Sequence, residues 1–577
     1  MPTESYLELS KNPIRFEALL NKFNNVFFDE ANKQIFVVRS GGVMGVSVKG
    51  PDPDTNLNFR LEDHAPIISI KFSPDRHILA VQRSQTSVEF ANYNGDGSLS
   101  AEYSQSCRKG SKMLGFIWTG PSYVAFITDN GVEPFQVLHE RRSVKALKAI
   151  TATADWFKWN ADCNLAILSS GQGTQLQPIS FKSGTATKLA KIELGTGRSA
   201  ADRDVTLALL RGSPAVILLC HGLGGNNCAE VLVYQSPDSG SPMKISHFLR
   251  LGYSGKFLIN VLDDLIIVHH QASKTSSLFD ISLPGDGEGH HLPIATPKSF
   301  SPFELELPDK TYVCELYTPS WTVFQPNIII DAKLGCLWYI ELRLESLASH
   351  ISDIETCVQV LRRRWGGKGV LLRVLHNVIS ENNPKAAKAL EIAASLEPGC
   401  IPLEQDDIYK NVLSGLEPEP SLLVAYIRAL ARRKQQPQHQ LSRLLVTTLV
   451  RRGKMSDLHQ LIRHGAVADS KPLACLLLSL GNVHEGSTQL ALDMLARLGA
   501  VSEIHEVLFG QDAVLAAAHL SPPPPPRKLL DAAKQDPTLF HALYRNHRSN
   551  IPQDHRLLFD KIYSKMFAMI ILEDTRL

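Results

Sequence analysis

Ile67–Phe90 reads IISIKFSPDRHILAVQRSQTSVEF and shows the strand pattern of this chain most clearly. Ile68, Ile70 and Phe72 alternate with more polar residues, so their side chains share one face of an extended strand. The turn residues Ser73-Pro74-Asp75 follow, and two further apolar runs come after them. An alternation of period two, bounded by turn residues, predicts short antiparallel strands joined by hairpins.

The same pattern can be proposed at six further places before residue 345. Consecutive starts lie 41, 46, 43, 50, 51 and 64 residues apart. A repeat of about 40–45 residues with about four short strands is typical of β-propeller blades. We therefore predict a seven-bladed, WD40-like β-propeller over residues 1–345, with Tyr6–Leu9 pairing with the last blade to close the ring. The six further copies begin near Val26, Met113, Trp156, Thr206, Phe257 and Trp321.

The periodicity changes from two to 3.6 residues after about residue 350. Apolar residues there recur at i, i+3, i+4 and i+7, and glycines follow the runs, so we predict an α-solenoid over residues 350–520. Five successive prolines predict a polyproline spacer at 521–527, before C-terminal solenoid helices in 528–577. The predicted helices are Ile351–Arg364, Val370–Ile379, Pro384–Leu396, Ser421–Arg433, Leu441–Arg451, Pro472–Leu480, Thr488–Leu498, Ile504–Leu508, Lys528–Lys534, Thr538–Tyr544 and Arg556–Leu572.

The composition is that of an ordinary globular protein, with 44% hydrophobic and 20% charged residues among 577. A formal net charge of +2 gives no reason to expect a nucleic-acid partner. Nine cysteines without a C-x-x-C pair favour the reduced thiols of a cytoplasmic protein. We find neither a signal peptide nor an apolar run of about 18 residues, so we expect membrane association through partners or a surface.

Three glycine-rich stretches are similar to catalytic or nucleotide-binding motifs. His221–Gly225 resembles the oxyanion strip of lipases, but no G-x-S-x-G nucleophile elbow is present, so we interpret it as a loop and keep a hydrolase only as a contrasting hypothesis. Gly252–Lys256 has the wrong spacing for a phosphate-binding loop. Gly366–Gly369 lacks the preceding strand and is interpreted as an interhelix turn. We predict no catalytic and no cofactor-binding residues.

Histidines and acidic residues give no metal pattern either. Neighbouring residues on a strand point to opposite faces, so neither His269-His270 nor His290-His291 can chelate as a pair. His484-Glu485 begins the H-E-x-x-H pattern, but Thr488 stands where the second histidine should be. Asp263-Asp264 separates two apolar runs and is interpreted as a hairpin turn. We therefore predict no metal site.

Two basic runs stand at the ends of predicted helices. Arg362-Arg363-Arg364 and Arg432-Arg433-Lys434 would meet the negative end of the helix dipole there. We interpret them as solvated helix ends. A docking surface for an acidic partner or for anionic lipid headgroups is the alternative.

Several strings in the first 345 residues resemble one known family, the Bulli family, whose members are also called regulators of Mon–Ccz and carry a Mic-type C-terminal domain. The resemblance covers most of residues 5–345. Beyond residue 350 it consists of the helical character and the general layout alone. The strings are at Val26–Gly42, Val48–Asp52, Ile70–Arg83, Phe126–Leu138, Gly255–Gln271, Ser277–Leu283 and Ser320–Ile330.

The resemblance implies a non-catalytic scaffold or regulatory subunit that joins the Mon and Ccz subunits in a heterotrimer. In that complex the heterodimer would carry out guanine-nucleotide exchange on the late-endosomal Rab-seven GTPase. Peripheral association with late endosomes and lysosomes, and roles in endosome maturation, lysosomal trafficking and autophagic flux, are also implied. A subunit of a vesicle coat or tethering complex is the alternative, because those proteins share the propeller–solenoid order. The Trp-Asp dipeptide of WD40 blades is absent, so we expect a divergent propeller.

Overall fold

The computed structural model describes residues 4–574 except 19–23, 53–55, 63–64, 96–97, 183, 196, 223–227, 237–240, 308–309, 396 and 485. The chain divides into two compact units, Met1–Val370 and Leu371–Leu577. The first unit is mainly β-structure and the second is helical.

The first unit is a ring of seven antiparallel sheets, the blades, and in each blade the strands follow chain order. Before blade one come β1 (Leu7–Leu9) and β2 (Ile14–Arg15). Blade one contains β3 (Asn24–Asp29), β4 (Gln34–Arg39), β5 (Gly45–Lys49) and β6 (Leu57–Phe59). Blade two contains β7 (Ser69–Phe72), β8 (Ile78–Gln82), β9 (Ser87–Asn92) and β10 (Tyr103–Ser106). Blade three contains β11 (Met113–Gly120), β12 (Tyr123–Thr128), β13 (Gly131–Leu138), β14 (Ser143–Ala146) and β15 (Ile150–Thr151).

The remaining blades follow the same plan. Blade four contains β16 (Trp156–Asn160), β17 (Leu165–Ser170), β18 (Gln175–Lys182), β19 (Thr185–Lys188) and β20 (Ile192–Glu193). Blade five contains β21 (Val205–Leu210), β22 (Ser213–Cys220), β23 (Glu230–Gln235) and β24 (Lys244–Arg250), and blade six contains β25 (Phe257–Leu262), β26 (Leu265–His270) and β27 (Thr275–Asp280). Next come β28 (His290–His291), parallel to β24, and a separate hairpin of β29 (Glu304–Leu307) and β30 (Lys310–Val313). Blade seven contains β31 (Trp321–Phe324), β32 (Ile328–Asp331) and β33 (Cys336–Leu342).

All seven predicted blades are confirmed. Each predicted start lies within the first strand of a blade or, for Ile67, two residues before it. In the second blade Ile70 and Phe72 are fully buried, as the alternation predicts, whereas Ile68 is 48% exposed because it precedes β7 and does not continue the strand. The divergent propeller therefore forms without the Trp-Asp dipeptide, because apolar alternation and turn residues are enough to define its strands.

The ring is closed by the N-terminal strand, as predicted. β1 pairs antiparallel with β33 of blade seven, with Leu7 opposite Leu342 and Leu9 opposite Ile340. Tyr6 is fully buried, and its hydroxyl donates to the Thr296 carbonyl at 2.8 Å. β1 thus supplies the outer strand of the last blade and covers the edge that would otherwise be open.

Buried polar side chains connect neighbouring blades, and we call these contacts blade locks. In blade one, the Asp29 carboxylate accepts a hydrogen bond from the Phe72 amide of blade two at 3.1 Å. In blade four, the Asn160 side-chain amide donates to the Leu207 carbonyl of blade five at 2.8 Å. In blade six, Asn260 donates to the Phe324 carbonyl of blade seven at 2.9 Å. Each blade lock fixes one innermost strand against the next.

The helices form the end of the first unit and the whole of the second. Those of the first unit are α1 (Leu344–His350) and α2 (Ile354–Leu361), and α3 (Gly367–Ser380) spans the boundary. The second unit continues with α4 (Ala386–Ala394), α5 (Gln405–Ile408), a π-helical turn at Tyr409–Leu413, α6 (Pro420–Arg432), α7 (His439–Arg451), α8 (Met455–Arg463) and α9 (Lys471–Ser479). It ends with α10 (Gly486–Arg497), α11 (Val501–Gly510), α12 (Val514–Ala518), α13 (Pro526–Ala533), α14 (Pro537–His547) and α15 (Gln553–Asp574).

Helices of the second unit pack mainly on helices one or two positions away along the chain. In α6, for example, Leu423, Tyr426 and Leu430 are buried, and α6 contacts α4 and α7. Short helices that pack on sequence neighbours are typical of an α-solenoid, so the predicted fold class is confirmed for this unit as well. The division between the units falls after Val370, whereas we predict the change of domain at 345–350 from the sequence.

Candidate functional site

The end of α2 corrects our interpretation of Arg362-Arg363-Arg364 as a solvated helix end or docking surface. Arg362 and Arg364 are each 1% exposed. The Arg364 guanidinium forms an ion pair with the carboxylate of Asp280, which ends β27 and is equally buried. The interpretation was wrong because α2 packs within the propeller unit, where a buried carboxylate pairs with a cation from this run. The pair attaches the helical extension to blade six.

Trp365 follows this buried pair and is 90% exposed, the largest exposure of any bulky apolar side chain in the described part of the chain. The next residue, Gly366, has a φ of +76° that favours glycine. A side chain at Gly367 would place its Cβ 2.2 Å from the Leu361 carbonyl oxygen. The buried pair and the tight turn therefore hold the backbone of Trp365 in place and leave its ring in solvent.

An exposed, firmly positioned tryptophan is a candidate contact for a partner. Burying such a ring removes a large apolar area from water, and tryptophan is enriched among the residues that dominate protein interfaces. Sequence reasoning missed Trp365, although a tryptophan beside two glycines and outside the helical period was an available signal.

The β29–β30 hairpin is a second exposed feature. Among the described residues it pairs with no blade, and Arg15 donates to the Glu306 carbonyl on its β29 side at 2.7 Å. On β30, Tyr312 is 45% exposed and Val313 is 63% exposed. Leu305 of β29 is buried and anchors the hairpin. The hairpin therefore presents apolar side chains next to a strand edge, where a further strand could pair.

The centre of the ring contains a cavity of about 420 Å³, lined by the innermost strands and their turns. Lys33 of blade one donates to the Asp162 carboxylate of blade four at 3.2 Å and to the Gln325 carbonyl of blade seven at 3.3 Å. Burial raises the pKa of Glu30, which lies among the cavity lysines. These contacts cross the ring, so the charged groups of the cavity serve to hold blades together.

The histidine pairs lie in separate environments on the two faces of their strands. In blade six, His269 is fully buried, with Nδ1 at 2.8 Å from the Ser276 hydroxyl and Nε2 at 3.2 Å from Asn260 Oδ1. Burial lowers the pKa of His269 to about 3. His270 bonds instead to Ser273 and to a backbone carbonyl. His269 thus extends the third blade lock.

His290 and His291 also have different neighbours. The His290 Nδ1 atom lies 3.1 Å from an oxygen of Asp286, whereas the ring of His291 lies 5.0 Å from that of His247. Among the described residues, no group of three or more His, Cys, Asp or Glu side chains could hold a metal ion.

Other predicted motifs have structural positions. Asp263 and Asp264 form the two-residue turn between β25 and β26, both at positive φ, which confirms the hairpin interpretation. His221 lies 3.1 Å from the Asp204 carboxylate, and residues 223–225 of its strip lie outside the described residues. His484 accepts from the Gly486 amide at 3.2 Å, and residue 485 is likewise outside them.

The remaining glycine-rich and basic stretches lie at element ends. Gly252–Lys256 leads into β25, as a loop would. Gly366 lies in the turn before α3, and residues 367–369 form the first turn of that helix. Arg432 pairs with Glu391 of α4, and Arg433 donates to the Ala394 carbonyl at 2.7 Å. No described helix is long and apolar enough to cross a membrane.

Comparison with known proteins identifies the family. The model described as "Regulator of MON1-CCZ1 complex, N-terminal" matches residues 26–144, and its C-terminal counterpart matches residues 364–555. The chain is 37% identical, over an alignment 611 positions long, to the human protein named regulator of MON1-CCZ1 complex. The alignment covers 94% of this chain and 92% of that protein. This chain belongs to the family of regulators of the MON1-CCZ1 complex. The resemblance found in the sequence is thereby confirmed.

Further matches are a second mammalian regulator, a more distant homolog and two propeller structures that are similar only in fold. The mouse regulator is also 37% identical with the same coverage, and a Dictyostelium discoideum homolog is 27% identical over 259 residues, covering 44% of this chain and 24% of that protein. The structure of Saccharomyces cerevisiae Sqt1 is similar at a TM-score of 0.33 and 11% identity, over 57% of this chain and all of that chain. The Myceliophteria thermophila Cps50 propeller gives the same score and identity over 58% and 100%. Neither likeness carries a functional argument.

The family models also relate to the exposed tryptophan. The C-terminal model of the regulator family begins at residue 364, so Arg364 and Trp365 are its first two matched residues. The N-terminal model covers blades one to three up to β14. Trp365 is thus within a segment that the regulator family shares, whereas the β29–β30 hairpin lies between the two models.

Proposed function

We propose that this chain is the regulatory, non-catalytic subunit of a heterotrimer with MON1 and CCZ1 subunits. In the proposed complex the heterodimer catalyses guanine-nucleotide exchange on the late-endosomal Rab-seven GTPase, and this chain supports its assembly and stimulation. The complex acts at late endosomes and lysosomes as a peripheral cytoplasmic assembly, in endosome maturation, lysosomal trafficking and autophagic flux. The observation that carries the proposal is the 37% identity to the human regulator over 94% of the chain.

The architecture is compatible with a platform for partners. Propellers and solenoids present large surfaces of short loops and helix faces on a rigid frame. Trp365 offers a positioned aromatic contact, and the β29–β30 hairpin offers an exposed apolar strand. We expect Trp365 to contribute to the interface with the heterodimer, because its backbone is already fixed and a tryptophan side chain has only two rotatable bonds to immobilise when a partner covers it.

The test is reconstitution with the full-length chain, since a cut at 345–350 would separate Arg364 from Asp280. Size-exclusion chromatography with light scattering should give a 1:1:1 complex with MON1 and CCZ1. Nucleotide release from the Rab-seven GTPase should require the heterodimer and should be absent with this chain alone. Failure to associate, or exchange by the isolated chain, would contradict the proposal.

A single substitution then tests the proposed contact. Trp365→Ala should weaken binding of the heterodimer by about tenfold or more, the size of an interface hot spot. Leu557→Ala is the matched control, because Leu557 is also a large exposed apolar residue, 76% exposed, but lies on α15. Equal losses with both variants would contradict a specific contact at Trp365.

A further inference from the structure

The proline run between α12 and α13 exceeds what the fold uses. Residues 522–525 form neither helix nor strand, and Pro526 is the first residue of α13. One proline at that first position would already favour the start of a helix, because its missing N–H has no helical partner there. The prolines before it therefore need another explanation.

Most of the run faces solvent. Pro524 is buried, whereas Pro522, Pro523 and Pro525 are exposed. Pro525 has φ −55° and ψ 133°, which is close to polyproline II geometry. This helix has three residues per turn, so Pro522 and Pro525 lie along one exposed edge while Pro524 faces the protein. The fold thus holds a short ridge of exposed prolines on its surface, with polyproline II geometry at Pro525.

A free cation follows the ridge at a defined spacing. Arg527 is exposed, and within the described part of the chain it has no ion pair or side-chain hydrogen bond. It lies in the first turn of α13, where a positive charge is disfavoured by the helix dipole. Its neighbour Lys528, by contrast, lies 3.9 Å from Glu506. The helix itself therefore gains nothing from Arg527.

We propose that residues 522–527 are a docking site for an SH3-type domain. Pro522-x-x-Pro525 has the PxxP spacing that such domains bind in an aromatic-lined groove, and Pro525 already has a backbone close to polyproline II geometry. The exposed proline rings can pack against the aromatic side chains of such a groove. Arg527 fits a groove that carries a carboxylate at its end, because a guanidinium pairs with carboxylates in two-pronged geometry. This partner is additional to MON1 and CCZ1.

The test uses the full-length chain and a panel of purified SH3 domains selected for PxxPxR ligands, with WW domains as a second panel. Binding is measured by isothermal titration calorimetry. Pro522→Ala/Pro523→Ala changes only exposed residues outside the helices and should weaken binding by about tenfold or more. Arg527→Gln should weaken it severalfold, whereas the matched control Lys528→Gln, which removes the same charge from the next residue, should leave it unchanged.

Three results would overturn the proposal. The first is the absence of saturable binding to any SH3 domain of the panel, or a preference for WW domains. The second is equal affinity of the Pro522→Ala/Pro523→Ala variant and the unchanged chain. The third is binding by an isolated peptide of residues 518–530 without binding by the folded chain, which would mean that the fold hides the ridge. Circular dichroism of each variant checks that the helices are retained.

Discussion

The contacts between neighbouring blades differ in kind from the contacts between neighbouring helices after Val370. Neighbouring blades share buried apolar clusters, and at three junctions they also share buried, directional hydrogen bonds, which Asp29 accepts and which Asn160 and Asn260 donate. Neighbouring helices share apolar surfaces, and their ion pairs, such as Arg497 with Asp469, lie at the surface. A ring must end where it began, and the directed bonds at these three junctions fix the positions of the blades that they join. A helical stack has no such closure condition, and each helix needs only a complementary neighbour.

The largest expected effect is at the junction of β27 with the helical extension. Asp280→Ala leaves the Arg364 guanidinium buried without its carboxylate, and we expect a loss of about 3–5 kcal/mol in the free energy of unfolding. Urea denaturation followed by circular dichroism measures it. The double variant Asp280→Leu/Arg364→Leu removes both charges and should recover most of the loss. Wild-type stability of Asp280→Ala would show that the pair adds nothing.

The third blade lock should come next. Asn260→Ala removes the buried amide that donates to the Phe324 carbonyl and also leaves the buried His269 without its Asn260 partner. We therefore expect a loss of about 2–3 kcal/mol in the free energy of unfolding. Thermal unfolding of the full chain should show a lower melting temperature for the β-sheet signal while the helical signal changes less. Equal shifts of both signals would mean that the lock does not act within the propeller alone.

Acid should weaken the ring through His269. The folded-state pKa of His269 is lowered to about 3 by burial, from an ordinary value of 6.5. Between these values the unfolded chain binds a proton that the folded chain does not, so stability is full above pH 6.5 and falls as the pH is lowered. The loss is about 1.4 kcal/mol per pH unit.

His269→Gln is the control for this pH dependence. Glutamine can both donate and accept a hydrogen bond at this position but does not titrate. Urea denaturation at pH 6.5, 6.0 and 5.5 should give a slope of stability against pH that is shallower by about one proton in the variant. Parallel slopes for the two proteins would contradict the assignment to His269.

The smallest effect is expected at the surface of the helical unit. Arg497 donates to both oxygens of Asp469 at 2.7 and 2.8 Å, and both residues are partly exposed. Arg497→Ala should therefore cost only about 0.2–1 kcal/mol in the free energy of unfolding. A loss comparable with that of Asp280→Ala would remove the distinction between the two regions.

Local patterns were sufficient to predict the blades. Strand alternation and turn residues act within about ten positions, so the starts at Met113, Trp156 and Phe257 coincide with the first residues of observed strands. The pairing of Tyr6–Leu9 followed from the need to cover an open edge. Helix α8 is not among the predicted helices. Its sequence is mainly polar and only Leu458 and Ile462 are buried, so it shows too few apolar residues to reveal a helical period.

Contacts between distant residues could not be predicted in this way. Arg364 is buried because Asp280, 84 positions earlier, lies beside it in the fold. Lys33 and Asp162 are 129 positions apart, and nothing in either local sequence indicates that they meet across the central cavity. The exposure of Trp365 has the same origin, since it depends on how its neighbours are held.

The two strands that close the ring, β1 and β33, are far apart in the order in which the ribosome makes them. β1 is made first, but its partner β33 ends at Leu342, 335 positions after Leu7. At about 5–20 residues per second, the nascent chain waits roughly 17–70 s before the ring can close. During that interval the early blades exist without their last neighbour, and Leu7–Leu9 has no strand to pair with. The growing propeller therefore exposes unpaired strands for longer than a chain of the same length that folds helix by helix.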